Sequence, residues 1–201
     1  MSVIQISDLR RQLREKFPAA HRAPVPVEIH EAQKLDFAGG YLSEVVASKA
    51  TSGMSLIISE LLEEERDLPI ALIDGRDTFD PASYGNTSCR HLIWVRCHKT
   101  QQALQCADLL VRDGNLPLIL LDLHLVCERE LRQIPTNLWH RLKTQARDSG
   151  AALVALTPRP LVPSPHRRLL LGGQFSLAHL ELQPPALQFQ SANEHPLVNK
   201  A

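Results

Sequence analysis

The residues with the clearest chemical potential lie between positions 44 and 56, where an apolar strand is expected to pass into a helix. A loop that holds phosphate at such a place needs glycines that expose backbone N–H groups, a lysine for the β- and γ-phosphates, and a Ser or Thr hydroxyl for Mg²⁺. In the pattern Gly-x-x-x-x-Gly-Lys-Ser/Thr, the four defining places are taken here by Ala47, Ser52, Gly53 and Met54. The sequence therefore predicts the site of a phosphate-binding loop that lacks its phosphate-binding groups.

Two further residues could supply part of the missing chemistry. Lys49 could replace the absent lysine, but no neighbouring glycine would let phosphate approach the backbone there. Asp122, which ends a later apolar strand, could be a Mg²⁺ ligand. We favour a strand-end carboxylate that is hydrogen-bonded to loop amides or water, because a lone carboxylate rarely holds Mg²⁺ without phosphate oxygens to share it.

Composition and charge restrict the class of protein. The 201 residues are 44% hydrophobic, which is enough to bury one good core. The 22 Lys and Arg residues balance 22 Asp and Glu residues, so no overall field attracts nucleic acid or an anionic membrane. No apolar run approaches the roughly 20 residues that span a bilayer, and the first eight residues lack the basic start and apolar core of a signal peptide. We predict a cytoplasmic protein.

Short apolar strands alternate with helices along the chain, which is typical of a parallel sheet with helices on both faces. We expect strands at 42–47, 70–74, 92–97, 116–123 and 151–156, and helices at 52–65, 100–112 and 135–149, with a short helix begun by Asp80 and Pro81. Beyond a proline-rich loop at 158–165, strands at 168–171 and 175–182 are expected to pair through Gly172 and Gly173. We assign 1–38 to an N-terminal helix and linker arm, 39–183 to the core domain, and 184–201 to a flexible tail.

Four segments, in this order, resemble the core of the RecA recombinase fold. Segment 40–46 resembles the strand that enters the P-loop, and segment 71–81 resembles the second strand with the Asp-Pro turn that follows it. Segment 91–114 matches the next strand and helix in spacing, and segment 118–122 resembles the Walker B strand. The resemblance implies a three-layer α/β fold with a mostly parallel central sheet, helices on both faces, and antiparallel strands toward the C-terminus.

The same resemblance implies which catalytic groups are absent. Active members of the family place a water-activating Glu two residues after the Asp that ends the second strand. Arg76 stands there in this chain, and it cannot act as a base because it stays protonated. The glutamine that couples nucleotide state to DNA binding falls at about Pro158. Together with Gly53 and Met54, these departures lead us to expect no ATPase activity, no cofactor and no metal.

Among RecA-fold relatives with a degenerate nucleotide site, the chain resembles the ImuA-like proteins through segments 9–18 and 74–81. These are accessories of SOS-induced translesion synthesis, so the resemblance implies a non-catalytic protein whose partners are translesion polymerase components or RecA. Segment 40–46 also resembles SulA, the SOS inhibitor of cell division that binds FtsZ. The SulA-like function stays open as an alternative, and so does a deviant ATPase that binds DNA.

One candidate contact surface is an apolar stripe on the helix predicted at 7–17. Leu9, Leu13 and Phe17 share one face of that helix, opposite its basic residues. In RecA filaments an N-terminal element packs on the neighbouring subunit, and this stripe could serve a partner in the same way. The alternative is that the helix folds back on its own sheet.

A second candidate contact surface is the proline-rich loop. Arg159, His166, Arg167 and Arg168 lie where RecA relatives place a DNA-contacting loop. These residues could meet phosphates or an acidic partner protein. We favour the alternative of a solvated loop with scattered charge.

Overall fold

The computed structural model describes residues 11–12, 15–16, 35–48, 53–64, 68–84, 88–172 and 189–191. The strands are β1 (Leu42–Val46), β2 (Ile70–Asp74), β3 (Leu92–Arg96), β4 (Leu118–Asp122), β5 (Ala152–Thr157), β6 (Arg168–Leu171) and β7 (Phe189–Ser191). The helices are α1 (Met54–Glu64), α2 (Thr100–Asp113), α3 (Glu128–Leu131) and α4 (Thr136–Ser149), with a 3₁₀ turn at Pro81–Ser83. The predicted elements between residues 42 and 171 are present with ends that differ by one or two residues, whereas the short α3 was not predicted.

The strands in the described ranges form one sheet with the order β3-β2-β4-β5-β1-β6-β7. The first six strands in this order pair in parallel, and only β6 and β7 pair antiparallel. The strand expected at 175–182 lies outside the described residues. The antiparallel partner of β6 is instead β7, which falls inside the segment 184–201 assigned above to a flexible tail. Residues 189–191 are part of the sheet because their backbone satisfies the N–H and C=O groups along the open side of β6.

Helices pack on both faces of the sheet and bury a separate apolar cluster on each face. On one face, Ala107 of α2 and Leu142 of α4 pack with the strand residue Ile119. On the other face, Ile57 and Leu61 of α1 pack against apolar residues of β1, β2 and β4. A central strand covered on both faces is apolar throughout, as β4 is up to its last residue. None of the helices in the described ranges has the length and apolarity that crossing a membrane requires.

Part of the N-terminal arm is also described. Residues 11–12 and 15–16 have helical backbone and exposed side chains, in agreement with the helix predicted at 7–17. Its apolar stripe, Leu9, Leu13 and Phe17, lies outside the described residues. Leu35 is only 2% exposed and packs with the cluster under α1, so the core begins a few residues before position 39.

The sheet places the ends of its parallel strands along one edge. Asp74 of β2 and Asp122 of β4 end neighbouring strands and are direct register partners. Helix α1 begins beyond the end of β1, and the 3₁₀ turn follows β2 at the same edge. Ligands of open α/β sheets bind in the crevice outside the carboxyl ends of the strands. This edge is therefore where a functional site is expected.

Candidate functional site

A cavity of about 440 Å³ lies at this edge, between the first turns of α1, the segment after β2 and the segment after β4. Its apolar wall consists of Met54, Leu56, Ile58, Phe79 and Leu125. Its polar lining consists of Ser55, Ser59, Thr78, Asp80, Ser83, Tyr84, Asp122 and His124. The described part of the lining thus holds two carboxylates and neither Lys nor Arg, the opposite of the charge that phosphate binding requires.

The described part of the degenerate phosphate loop starts a helix and fills the core. Gly53 has a φ of 87°, and its carbonyl accepts hydrogen bonds from the N–H groups of Leu56 (3.0 Å) and Ile57 (3.2 Å), which opens α1. Met54 follows at 5% exposure and packs into the cluster under α1, as does Ala47 at the end of β1. Lys49 and Ser52 lie outside the described residues.

Asp122 is one of the residues that line the cavity. Its Oδ1 accepts a hydrogen bond from the backbone N–H of His124 at 2.9 Å, the kind of loop-amide contact expected for a strand-end carboxylate. Burial and, to a smaller extent, the neighbouring carboxylate of Asp74 raise the pKa of Asp122 to about 6, although the hydrogen bond from the His124 N–H opposes the shift. Nothing among the described residues pairs this carboxylate with a cation.

Asp74 has a structural role at the end of β2. Its Oδ2 accepts hydrogen bonds from the N–H of Phe79 at 2.7 Å and the indole N–H of Trp94 at 3.4 Å, and its Oδ1 accepts from the N–H of Arg76 at 3.2 Å. Asp80 caps the 3₁₀ turn by accepting from the N–H of Ala82 at 3.1 Å. These carboxylates therefore shape the turn that carries the cavity wall, and Asp80 begins the short helix that was expected there.

Arg76, which stands at the place of the catalytic Glu, belongs to a network outside the cavity. Its Nη1 lies 3.4 Å from Oε1 of Glu130 in α3. Glu130 also accepts hydrogen bonds from the hydroxyl of Thr100 and the thiol of Cys127, and these contacts lower its pKa. Arg76 is not among the residues that line the cavity. Its guanidinium joins the turn after β2 to α3.

Comparison with known proteins identifies the fold. No family model and no curated protein matches the chain. Among solved structures, the chain is similar to a crystal structure of the RadB recombinase, with a TM-score of 0.52 and 13% sequence identity over 67% of this chain and 75% of that one. The chain has a RecA-like fold. The expected three-layer arrangement is thereby confirmed, and at this identity the likeness shows the fold alone.

Sequence reasoning missed the most extensively bonded side chain of the RecA-like core, that of Glu44. This β1 residue is completely buried, and its Oε1 accepts hydrogen bonds from the Thr157 hydroxyl (3.0 Å), the Leu161 N–H (2.6 Å) and the Val162 N–H (3.1 Å). Its Oε2 lies 2.6 Å from Nε of Arg168. The sequence did contain one signal for this site. Glu44 is a charged residue within a strand whose residues are all buried. Glu44 ties the proline-rich loop and β6 to the centre of the sheet.

This network bears on the hypothesis of a basic contact loop. The guanidinium of Arg168 pairs with Glu44 and donates to the Val162 carbonyl, and its side chain is only 18% exposed. The remaining candidates also have partners within the chain. Arg159 pairs with Glu128 at 3.0 Å, Arg167 donates to the Asp36 carbonyl at 2.9 Å, and His166 stacks on Tyr41 with ring centroids 3.9 Å apart.

We expect the loop to contribute little to DNA binding. Because these cations already have partners, Arg159→Gln and Arg167→Gln should each change the affinity for single-stranded DNA by less than about twofold. A residue that contacts phosphate would instead reduce the slope of log affinity against log salt by about 1 when replaced. Fluorescence anisotropy at several salt concentrations measures both quantities. A tenfold loss accompanied by a smaller slope would contradict this expectation.

We also expect Asp122 to make the RecA-like core less stable as pH rises from about 4 to about 6. An acid whose pKa is higher in the folded than in the unfolded chain binds protons more tightly when folded, so it favours folding most below its unfolded pKa. Relative to Asp122→Asn, the wild type should therefore lose up to about 3 kcal/mol of unfolding free energy across this interval. Urea unfolding at a series of pH values measures the difference.

The matched control for this measurement is Asp36→Asn, which removes a carboxylate from an exposed position. It shows how the removal of a surface carboxylate changes stability over the same interval. If the Asp122→Asn difference does not change with pH more than that of Asp36→Asn, the pH prediction is wrong.

Proposed function

We propose that this chain is a RecA-like protein without ATPase activity that works by binding other proteins. The observation that carries the proposal is the position of Met54. This residue stands where a Mg²⁺-binding hydroxyl would be needed, and its thioether is buried in the core under α1. A buried thioether cannot coordinate Mg²⁺, which takes oxygen ligands. The nucleotide would therefore lack one of its metal contacts.

Two other features support the absence of ATP chemistry. Arg76 stands at the place of the catalytic base and pairs with Glu130, so the chain offers no base at that place to activate water. The described lining of the cavity holds no Lys or Arg that would neutralise phosphate oxygens. The missing metal ligand and the missing positive charge disfavour nucleotide binding, and the missing base disfavours hydrolysis.

The finer proposal is an ImuA-like accessory of translesion synthesis in the DNA damage response, acting in the cytoplasm. Segments 9–18 and 74–81 support it through their resemblance to that family. The second of these segments is held in one conformation by the contacts of Asp74 and Asp80, so it presents a fixed surface next to the cavity. A fixed surface without catalytic groups suits a protein that recognises partners.

The identity of the partner can be tested directly. The purified full chain should retain translesion polymerase components or RecA when it is immobilised and washed at physiological salt. Retention of FtsZ instead of these proteins would overturn the translesion assignment in favour of the SulA-like alternative. Purified components should be used, because capture from a lysate would not show which contact is direct.

We expect no binding and no turnover of ATP. Titration of the full chain with Mg²⁺-ATP should produce no heat beyond dilution, and phosphate release should not exceed that of buffer. Asp122→Ala serves as the comparison, because a surviving nucleotide site would use this Walker B carboxylate. A measurable affinity that disappears in Asp122→Ala would make the protein a deviant ATPase and overturn the proposal.

A further inference from the structure

We propose that the cavity beside α1 receives an arginine side chain from a partner protein. This inference rests on the protein-binding function proposed above and assigns the contact to the former nucleotide site. The site would thus have changed from one that holds an anion to one that holds a cation.

The charge of the cavity favours a cationic guest. Asp122 and Asp80 are its two carboxylates, and no Lys or Arg is present among its described lining residues. Among the described residues, the N–H of His124 donates to Oδ1 of Asp122, and no Lys or Arg pairs with this carboxylate. A carboxylate in a partly buried site without a cation nearby is stabilised when an opposite charge enters. A phosphate group in the same position would be repelled.

The aromatic wall favours a guanidinium over a simple ammonium group. Phe79 and Tyr84 stack with ring centroids 4.8 Å apart, and Trp94 meets Phe79 edge-on at 5.5 Å, which fixes the orientation of the wall. A planar guanidinium can stack on an aromatic face and still donate to a carboxylate with its remaining N–H groups, which a compact ammonium cannot do. Tyr84 also brings a half-buried hydroxyl that makes no hydrogen bond among the described residues.

The size and rim of the cavity fit a side chain presented by a protein. A volume of about 440 Å³ lies within the range of sites that take whole small ligands. Met54 and Phe79 supply apolar walls along which the methylene stem of an arginine can pack. Leu125 stands on the rim with 53% of its surface exposed, so residues that flank the arginine would find an apolar contact there.

The test uses two capped tripeptides, Leu-Arg-Leu and Leu-citrulline-Leu, which have nearly the same shape but differ in charge. Each is titrated into the full-length chain while amide-resolved NMR spectra are recorded. We expect Leu-Arg-Leu to bind at least about tenfold more tightly and to shift the amides of Phe79, His124 and Leu125. Asp122→Asn should reduce that preference to about twofold or less, and Asp36→Asn should leave it unchanged.

Several results would overturn the inference. Equal binding of the two tripeptides, or an arginine preference that survives in Asp122→Asn, would show that the carboxylate does not select a cation. Shifts confined to another surface would place the contact elsewhere. Self-association that is lost in Asp122→Asn, measured by sedimentation velocity, would make the occupant a second copy of this chain.

The failure of this inference can be told apart from the failure of the proposed function. A parallel titration with Mg²⁺-ATP should leave the same amides unshifted. If ATP shifts them, the site still binds nucleotide, and both the adaptor function and the arginine site are wrong. If ATP causes no amide shifts and the two tripeptides bind with the same affinity, only the proposal of an arginine site is wrong.

Discussion

Replacement of Glu44 by alanine is expected to lower the free energy of unfolding by about 3–5 kcal/mol. Removing one member of a buried ion pair leaves the other charge without compensation, and losses of this size are usual for such changes. In this protein Arg168 would lose the carboxylate 2.6 Å from its Nε and would remain in a site that is only partly open to solvent. Urea unfolding at constant pH measures the change.

The cost should extend beyond the ion pair, because Glu44 also accepts from backbone and side-chain donors. The N–H groups of Leu161 and Val162 and the hydroxyl of Thr157 all donate to its Oε1. Their loss would release the proline-rich loop from the sheet. We therefore expect faster proteolysis within 158–167 in Glu44→Ala than in the wild type, at a denaturant concentration that leaves both proteins folded.

Two variants separate the ion pair from the other contacts. Glu44→Gln keeps an oxygen acceptor for the loop amides but loses the charge, so it should be destabilised less than Glu44→Ala. The double variant Glu44→Ala with Arg168→Leu removes both charges and should recover part of the stability lost in the single variant. A Glu44→Ala protein within about 1 kcal/mol of the wild type would show that the network contributes little net stability.

The sheet could be predicted because its strands carry a strong local signal. Strand β4 is a run of apolar residues that ends in Asp122, and strands β2 and β5 are similar, so their burial on both faces follows from composition alone. Helices α2 and α4 have regular apolar faces, and each is followed by a glycine in the left-handed conformation. These signals lie within each element, so a single sequence contains them.

The contacts of the site could not be predicted, because they join residues that are far apart in sequence. Glu44 and Arg168 are 124 positions apart, and neither has a neighbour in sequence that indicates its partner. The sequence therefore allows Arg168 either in a solvated loop or in contact with phosphate or an acidic partner, and it does not indicate the ion pair that Arg168 makes with Glu44. Likewise, the stacking of Phe79 on Tyr84 depends on how the turn after β2 folds. Strand β7 is too short to give a pattern of its own.

The residues at the positions where the family resemblance expects nucleotide-binding groups have different roles in the fold. Met54 packs into the core under α1, whereas Arg76 forms an ion pair with α3. At β5, the expected position of the coupling glutamine lies next to Thr157, whose hydroxyl bonds to Glu44. Each substituted or neighbouring residue thus contributes to stability. Under the proposed protein-binding function, the cavity is the part of this scaffold that a partner would enter.

Replacement of Gly75 by alanine is expected to destabilise the protein by about 3 kcal/mol, the upper end of the usual cost of an overpacked core. A Cβ atom at this position would lie 2.6 Å from the backbone oxygen of Asp122 and 3.2 Å from Cδ2 of Leu123. The same oxygen accepts the Gly75 N–H at 3.0 Å, so the two strand ends cannot separate without losing that hydrogen bond. Gly75 does not have a positive φ, so the clash is the only cause of strain.

Gly172→Ala is the matched control for this substitution. Gly172 also follows a strand and has no positive φ, but a Cβ atom there would meet no described residue within 4 Å. The unfolding free energy of the Gly172→Ala variant should stay within about 0.5 kcal/mol of that of the wild type. Because the clash in Gly75→Ala pushes on Asp122, that variant should also lose the arginine preference of the cavity, whereas Gly172→Ala should keep it. Equal stability of the two variants would mean that the ends of β2 and β4 have room to separate. The cavity would then not be rigid enough to select its guest by charge and shape.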